Sequence, residues 1–504
     1  MNSLPIRDPA TPREGAGDLL GMVRRLVEVL SDAEVQTMQA ASHRSLRVAT
    51  VCSGTDAPIL ALELVLQALN ERTVNDGTTK QQTMEHVFSC ENVKFKRDFI
   101  QAAVAGWTTS SSNLLLFNDL GEIAKDGKGL CHDGILRDLP TYEHLDLLVV
   151  GPSCKDYSNL STSRTRELEG RKSKGESANT FWATLDVVER TQPSIVLLEN
   201  VPGCPIDDMQ KVFGNAGYAA TAHTKVCTSD YLLPQTRQRV YIVFLRDNVS
   251  RFDTEPEAWA ATLHRLGRER RHDQDETPPL EWTDFLMDSH QRQAAPAKKS
   301  KNSGGRSLEQ SSQAKWLDEI KKVEREEGLV KYNEPNGRPY SKVSSLAYLP
   351  DRAKLRLDVQ FKRAAKAGID PLVTPLLWNP QTQLRFSTHG GLQLSTGQPR
   401  TTAPIVTPLH EYIVSTRKSA LTGPEALALQ GIRVPNHVLR QFTDRQLRDL
   451  AGNAMSTTVV AAVFLATMFT TRMVDDDPVR RGVATQKHAR DGESQPKRRT
   501  RKRH

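Results

Sequence analysis

Short apolar segments alternate with stretches of helical spacing between residues 46 and 246, and this alternation limits the fold more than any other feature. The six apolar segments are, in chain order, LRVATV, EHVFSCE, NLLLFND, LDLLVVG, SIVLLENV and RVYIVFLR. Residues 58–69 and 178–191 are among the helical stretches between them. Strands that alternate with helices predict an α/β fold with a doubly wound, mostly parallel sheet. Because such sheets bind ligands beyond the carboxyl ends of their strands, the residues that follow each strand form the candidate site.

Changes in composition divide the rest of the chain. Residues 18–30 carry apolar side chains at helical spacing, which predicts an amphipathic helix packed on the body. Residues 289–313 are poor in apolar side chains and rich in Ser, Gln, Lys and Gly, which is typical of a disordered insert. We therefore predict five regions: an N-terminal helical extension (1–45), an α/β body (46–250), a smaller inserted region (251–403), a second part of the body (404–474) and a disordered basic tail (475–504).

The formal net charge of +8 comes from the tail. Residues 479–504 hold ten of the 68 Lys and Arg residues and two of the 60 acids, which leaves the rest of the chain formally neutral. The run PKRRTRKRH at its end suits nuclear import or contact with a polyanion, so we expect a nuclear location. The alternative is a tail that only increases solubility.

Cysteine spacing and apolar runs argue against two classes of protein. The six cysteines form no Cys-x-x-Cys pair and no zinc-ligand spacing, so we expect no metal site. Nothing suggests a disulfide framework, and a reducing compartment fits best. The longest apolar run, VVAAVFLATMF at 459–469, is too short to span a bilayer and predicts a buried helix, so we expect no membrane contact.

Polar or turn-forming residues follow five of the predicted strands. They are Ser53-Gly54-Thr55 after the first, Glu91 after the second, Asn118-Asp119 after the third, Cys154 after the fourth and Glu199 after the fifth. A glycine in the first turn lets backbone approach a ligand, and an acid at the end of the second strand can accept hydrogen bonds from ribose hydroxyls. Cys154 precedes a serine-rich basic loop, and a partly exposed cysteine near positive charge is typical of a reactive thiol.

The order of these motifs resembles that of the cytosine-C5 DNA methyltransferases. The matching motifs are GPSC (151–154), ENV (199–201), QTRQR (235–239), LTGPEALALQG (421–431) and AGN (451–453). The resemblance covers residues 46–246 and 404–470 and implies that a target-recognition region lies between them. It also implies the S-adenosylmethionine-dependent methyltransferase fold, S-adenosyl-L-methionine as cofactor and double-stranded DNA as partner.

The resemblance further implies a role for individual residues. The catalytic set is Cys154, Glu199, Arg237 and Arg239, and the cofactor-binding set is Ser53, Gly54, Thr55, Glu91, Asp119 and Asn453. Cys154 would add to C6 of a cytosine flipped out of the duplex, which makes C5 nucleophilic enough to take a methyl group. Glu199 would hold or protonate N3, while Arg239 would reach the base carbonyl or the adjoining backbone. Positive charge nearby should help to activate the thiol, and the basic loop at 164–174 would close over DNA.

Two departures from the family pattern place the chain on a divergent branch, similar to algal and fungal microbial forms. Ser153 stands before the nucleophile, where the family normally has proline. Cys52 and the run Thr55-Asp56-Ala57-Pro58 occupy a stretch that usually has phenylalanine and a second glycine. Neither departure removes a reacting group, so we expect an active enzyme.

Two alternative functions stay open at this point. The tRNA-methylating branch shares the chemistry but carries a Cys-Phe-Thr triplet in its recognition region, and no cysteine follows Cys227 here. A catalytically silent DNA-binding or scaffold protein could also keep the fold. The sequence leaves open the methylated context, maintenance or de novo action, and the oligomeric state, although a monomer is compatible with it.

Overall fold

A computed structural model shows the fold of the protein. It describes residues 17–40, 45–73, 81–107, 114–140, 145–158, 161, 164–268, 279–287, 310–329, 342–380, 392, 400–408 and 411–473. The predicted tail at 475–504 and residues 289–309 of the predicted insert lie outside these described residues, so both stay predictions.

The described residues contain fourteen α-helices and sixteen strands. The helices are α1 (Leu19–Glu28), α2 (Asp32–Ala40), α3 (Ala57–Thr73), α4 (Lys94–Val104), α5 (Leu120–Asp126), α6 (Glu176–Thr191), α7 (Ile206–Asn215), α8 (Glu257–Arg268), α9 (Gln310–Glu326), α10 (Asp351–Lys366), α11 (Gly423–Ala428), α12 (Asn436–Leu439), α13 (Asp444–Asn453) and α14 (Thr457–Thr470). The strands are β1 (Leu46–Val51), β2 (Met84–Cys90), β3 (Leu115–Phe117), β4 (Lys128–Leu130), β5 (Leu136–Asp138), β6 (Leu147–Val150), β7 (Ile195–Asn200), β8 (Ala220–Cys227), β9 (Gln235–Thr236), β10 (Gln238–Leu245), β11 (Ser250–Phe252), β12 (Leu377–Trp378), β13 (Ala403–Pro404), β14 (Ile413–Val414), β15 (Ser419–Ala420) and β16 (Thr471–Met473).

Seven of the strands form one sheet in the order β3–β2–β1–β6–β7–β10–β8. The first five are parallel to one another, whereas β10 runs antiparallel to both β7 and β8. The predicted α/β fold with a mostly parallel sheet is therefore confirmed. The sequence pattern missed β8, because this edge strand buries mainly alternate side chains and has no continuous apolar run.

Helices cover both faces of the sheet, and each face has its own apolar core. Side chains of β1, β6 and β7 alternate between the two cores, as the period of a strand requires. Helices α1, α3, α8 and α14 contribute to one core, and α5, α6 and α7 contribute to the other. The predicted site residues follow the carboxyl ends of parallel strands, so they lie at one edge of the sheet.

Helix α14 lies at the centre of the first core. Its residues 459–466 are each at most 2% exposed, and it packs against α3 and α8. Residues Asp444–Thr470, taken as one stretch, pass a length and hydropathy test for a membrane span, but 89% of the apolar window is buried inside the protein. The backbone of that stretch is also interrupted at 454–456. The predicted buried helix is confirmed.

The N-terminal helix is amphipathic, as predicted. Leu19, Met22, Val23 and Leu26 are buried, and the helix packs against α3 and α14. Asp18 caps it by accepting a hydrogen bond from Gly21 N at 2.7 Å. Helix α1 is therefore an added layer on the body.

Two helices of the inserted region, α9 and α10, are joined by ion pairs between opposite charges. Arg352 of α10 pairs with Glu319 of α9 at 2.9 Å, and Arg363 of α10 pairs with Glu327, directly after α9, at 2.5 Å. Residues 310–313, which the sequence placed in the disordered insert, belong to α9. That boundary was wrong because the first turn of a helix needs no apolar side chains, so composition alone does not show where such a helix begins.

Candidate active site

The turn between β1 and α3 has an unusual backbone. Cys52, Gly54 and Asp56 all adopt left-handed conformations, with φ of 54°, 59° and 55°. Gly54 N donates to Glu91 Oε2 at 2.9 Å, and Val93 N donates to Glu91 Oε1 at 3.0 Å. Glu91 therefore joins the end of β2 to the first turn. An ionised carboxylate offers about four acceptor positions, so Glu91 keeps capacity for ribose hydroxyls.

A buried cluster of polar side chains, Thr50, Asp56, His86 and Ser89, holds this turn in place. Thr50 Oγ1 donates to Asp56 Oδ1 and Ser89 Oγ donates to Asp56 Oδ2, both at 2.6 Å, while His86 Nε2 lies 2.8 Å from Ser89 Oγ. Burial raises the pKa of Asp56 to about 6, although hydrogen bonds from Ser89, Thr50 and Ser53 oppose that rise. Burial likewise lowers the pKa of His86 to about 3. Sequence reasoning missed the cluster, and its signal was two polar residues, His86 and Ser89, between the apolar residues of the strand.

The other predicted cofactor residues lie along the same edge. Ser53 Oγ donates to Cys90 O at 3.2 Å, so its side chain fixes the turn. Asp119 is exposed and caps α5 by accepting from Glu122 N at 3.0 Å. Within the described part of the chain, Thr55 Oγ1 and Asn118 Oδ1 are buried without a hydrogen-bond partner. Such buried atoms need polar partners, so this edge fits an adenosine-bearing cofactor.

Asn453 reaches the first turn from the C-terminal part of the chain. A β-carbon at Gly54 would lie 3.8 Å from Asn453 O, which places the two backbones side by side. The Asn453 side chain donates to Asp449 O at 2.9 Å and to Asp449 Oδ1 at 3.1 Å. The structure therefore brings Gly54, Glu91 and Asn453 together.

Residues 151–154, which carry Cys154, follow β6 and adjoin both the turn between β1 and α3 and Glu199. A β-carbon at Gly151 would lie 3.6 Å from Cys52 O and 3.9 Å from Glu199 Oε2. Asn200 Nδ2 donates to Pro152 O at 3.4 Å, which ties the segment to the end of β7. Burial raises the pKa of the Cys154 thiol, Arg239 acts in the opposite direction, and Glu199 adds to the rise. The expected positive charge is present, but burial outweighs it in the protein alone.

Glu199 and Arg239 form an ion pair beside this segment. Arg239 Nε lies 2.8 Å from Glu199 Oε1, and the side chains are only 12% and 13% exposed. The pairing follows from strand register, because Glu199 is opposite Tyr241 and Arg239 is its diagonal neighbour two residues away. A cysteine, a carboxylate and a guanidinium therefore converge at one edge of the sheet.

Arg237 occupies a different position from Arg239. Its guanidinium is buried and donates to Val406 O and Gly452 O at 3.3 Å and to Ala454 O at 2.8 Å. Burial lowers the pKa of Arg237 to about 9, which still leaves it charged at neutral pH. Arg237 thus links β9 and β10 to the C-terminal part of the chain through hydrogen bonds to backbone carbonyl groups next to Asn453.

The basic loop after Cys154 is partly anchored. Arg171 lies 4.7 Å from the Trp182 ring centroid and 2.5 Å from Asp186, both on α6. Arg164 and Arg166 are exposed. Across the described residues, no group of three or more His, Cys, Asp or Glu side chains could hold a metal ion.

Comparisons with known proteins agree with this geometry. A family model described as C-5 cytosine-specific DNA methylase matches residues 82–468. The chain is 32% identical over 466 residues to the DNA (cytosine-5-)-methyltransferase DMT5 of Cryptococcus neoformans var. grubii, covering 90% of this chain and 18% of that protein. It is 26% identical to the DMT5 of Verticillium dahliae, covering 85% of this chain and 19% of that protein. The chain thus spans about a fifth of the length of these curated relatives.

A search of solved structures also finds methyltransferases. The crystal structure of the S. pombe Dnmt2 methyltransferase aligns with a TM-score of 0.40 and 13% identity, covering 84% of this chain and 98% of that one. The assignment rests on the family model, which covers more than half of the chain and includes the Cys154, Glu199 and Arg239 motifs. The chain belongs to the C-5 cytosine-specific DNA methylase family.

Proposed function

We propose that the protein methylates C5 of cytosine in double-stranded DNA, with S-adenosyl-L-methionine as methyl donor. The observation that carries the proposal is the convergence of Cys154 with the Glu199–Arg239 ion pair, beside the turn that Gly54 and Glu91 form. Glu91, Thr55 and Asn118 would hold the adenosine part of the cofactor. The cofactor supplies an electrophilic methyl group when it is bound.

The residues of the site suit addition of a thiol to the pyrimidine ring. Cytosine C5 is a poor nucleophile until a thiolate adds to C6 and the electrons of the C5–C6 double bond move to C5. Glu199 would hold N3 through a shared proton, which stabilises the charge that develops in the ring. After C5 takes the methyl group, loss of the C5 proton to solvent reforms the double bond and expels the Cys154 thiolate.

Ionisation of Cys154 is the step that the local charges control. Because burial raises the thiol pKa, only a small fraction is thiolate at neutral pH in the protein alone. The Arg239 guanidinium favours the thiolate, and its ion pair fixes the Glu199 carboxylate. We therefore infer that Arg239 serves both the nucleophile and the acid.

The base must leave the duplex, because the thiol cannot reach C6 inside a base stack. The exposed Arg164 and Arg166, in the loop after Cys154, would contact phosphates, which supports DNA as the partner. Nuclear location is a further part of the proposal, and it rests only on the basic run at 497–503.

The first prediction tests the nucleophile. Cys154→Ala should abolish transfer of labelled methyl groups to unmethylated and hemimethylated duplexes, while cofactor binding measured by calorimetry stays unchanged. Cys227→Ala is the matched control, since Cys227 lies on the edge strand β8. Wild type should also form a denaturation-resistant adduct with a duplex containing 5-fluorocytosine. Transfer by Cys154→Ala within tenfold of wild type, which is about 1.4 kcal/mol in the barrier, would refute the mechanism.

The same assay separates the alternative functions. Preference for a tRNA substrate over a DNA duplex would favour the RNA-methylating branch. DNA binding without transfer and without an adduct would favour a silent scaffold.

A further inference from the structure

The segment that carries Cys154 lacks the proline that normally precedes the nucleophile in this family. Proline fixes its own φ and restricts the residue before it, whereas Ser153 does neither. Residues 151–154 have no regular secondary structure, and a turn at 155–157 follows. Other interactions must therefore hold the cysteine in place.

Two side chains near the start of α6 supply three of these interactions to the residues on either side of Cys154. Ser153 N donates to Thr180 Oγ1 at 3.0 Å, and Ser153 Oγ donates to Glu176 Oε1 at 3.1 Å. On the other side of the cysteine, Lys155 Nζ donates to Glu176 Oε2 at 2.7 Å. The two oxygens of one carboxylate thus bridge the two neighbours of the nucleophile.

A reciprocal pair of hydrogen bonds extends this contact by one residue. Asp156 N donates to Ser177 Oγ at 2.9 Å, and Ser177 N donates to Asp156 Oδ2 at 2.8 Å. Ser177 is fully buried, so these bonds are shielded from competition with water. The Asp156 carboxylate also satisfies one of the free N–H groups at the start of the helix.

We propose that Glu176 is a positioning residue that replaces the missing proline, by bridging Ser153 and Lys155 across Cys154. The inference rests on the proposed function, because it assigns Glu176 a purpose only if Cys154 is the nucleophile. The Asp156–Ser177 pair fixes the base of the same segment. Glu176 acts through the backbone of residues 153–155 and need not touch the substrate.

The two contacts of Glu176, with Lys155 and with Ser153, do not restrict the segment equally. The Lys155 and Glu176 side chains are 71% and 52% exposed, and ion pairs this exposed contribute little. The bond from Ser153 joins a backbone-proximal hydroxyl to the helix, so it restricts the segment more directly. Glu176→Gln keeps an acceptor oxygen for Ser153 and should behave almost as wild type, whereas Glu176→Ala should not.

The test is a double-mutant cycle with the family's own residue. Glu176→Ala should slow adduct formation on 5-fluorocytosine duplex about five- to twentyfold, with little change in cofactor affinity. Ser153→Pro restores the backbone restriction but removes both hydrogen bonds from Ser153. In that background the adduct should form at close to the wild-type rate, and Glu176→Ala should cost less than half as much on a logarithmic scale. Glu189→Ala, in the last turn of α6, is the matched control.

Hydrogen exchange of the peptide 152–158 supplies a second readout that needs no catalysis. Exchange should be faster in Glu176→Ala than in Glu189→Ala, and Ser153→Pro should reduce that difference. Equal exchange in the two variants, or adduct rates within twofold of each other, would overturn the inference. The inference would also be overturned if Glu176→Ala slowed adduct formation equally in the wild-type and Ser153→Pro backgrounds. Failure of the proposed function shows differently, as a wild type that forms no adduct while the exchange difference persists.

Discussion

Asp56 is a buried acid in the stretch where the family pattern has a second glycine. Its φ of 55° lies in the left-handed region, which aspartate tolerates better than most residues. Hydrogen bonds from Thr50 and Ser89 hold its carboxylate at full burial. These hydrogen bonds fix Asp56 and so hold the turn between β1 and α3 in shape without a second glycine.

Asp56→Asn should change how stability depends on pH. The folded-state pKa of Asp56 is raised from 3.8 to about 6, so its contribution to stability is full below pH 4 and is lost as pH rises to about 6. The loss is at most about 3 kcal/mol, since each pKa unit corresponds to 1.36 kcal/mol. His86 has the opposite sign, because its pKa is lowered to about 3 and its contribution is lost as pH falls below about 6.5.

Urea denaturation between about pH 4.5 and pH 7.5 measures this difference. The asparagine variant keeps only the His86 effect, so its free energy of unfolding should fall more steeply toward acid than that of wild type. Asp119→Asn, at an exposed helix cap, is the control. A difference between wild type and Asp56→Asn that is the same at every pH would contradict the assignment.

The positions of the candidate catalytic residues were easier to predict from the sequence than the side chains that support the turn beside them. Cys154, Glu199 and Arg239 converge as expected, because motifs at strand ends meet at one edge. The Asp56 cluster could not be predicted, since it depends on Thr50 and Ser89 being paired across β1 and β2. Register of that kind is set by packing, and the shift between Val48 and Ala49 in β1 alters it further.

At the scale of elements, α13 contacts residues 407–408, and this contact sets the position of Asn453. A β-carbon at Gly452 would lie 2.5 Å from both Pro408 Cδ and Thr407 C, closer than real contacts allow. Arg237 binds the carbonyl groups on both sides of this approach, at Val406 and Gly452. The glycine of the AGN motif is thus required by close packing of two backbones.

Gly452→Ala should therefore weaken cofactor binding as well as stability. The methyl group forces residues 407–408 away from α13, and overpacking of this kind costs about 1–3 kcal/mol. Calorimetry should show lower affinity for S-adenosylmethionine, because Asn453 adjoins Gly54. Gly214→Ala, where a β-carbon has room on α7, should leave affinity unchanged. If Gly452→Ala leaves the affinity for S-adenosylmethionine unaltered, Asn453 does not shape the turn between β1 and α3.

At the scale of the whole molecule, two distant parts of the chain build one body. β16 pairs with β11, β13 pairs with β9, and α14 packs against α3 and α8. Alternating strands and helices predicted this body well. They could not give the direction of β10, although the short connection from β8 leaves no room for the crossover helix that a parallel pair needs.

Cleavage within the predicted insert should leave the body intact. A protease site introduced at residues 296–300 would separate the chain into two fragments that still share the core around α14. The fragments should elute together in gel filtration and keep the cofactor affinity of the uncut chain. Separation of the fragments in native buffer would show that the contacts of α14, β13 and β16 are too weak to hold the body together.

The position of α14 also bears on how the protein is made. The faces of α3 and α8 that receive it are complete long before it exists, since α14 begins roughly 390 residues after the buried part of α3 and roughly 190 residues after the end of α8. At about 5–20 residues per second, those faces wait some tens of seconds on the ribosome without their partner. Side chains such as Leu62, Val65 and Trp259 are then open to other nascent chains. We therefore expect the protein to need a chaperone while it is being synthesised.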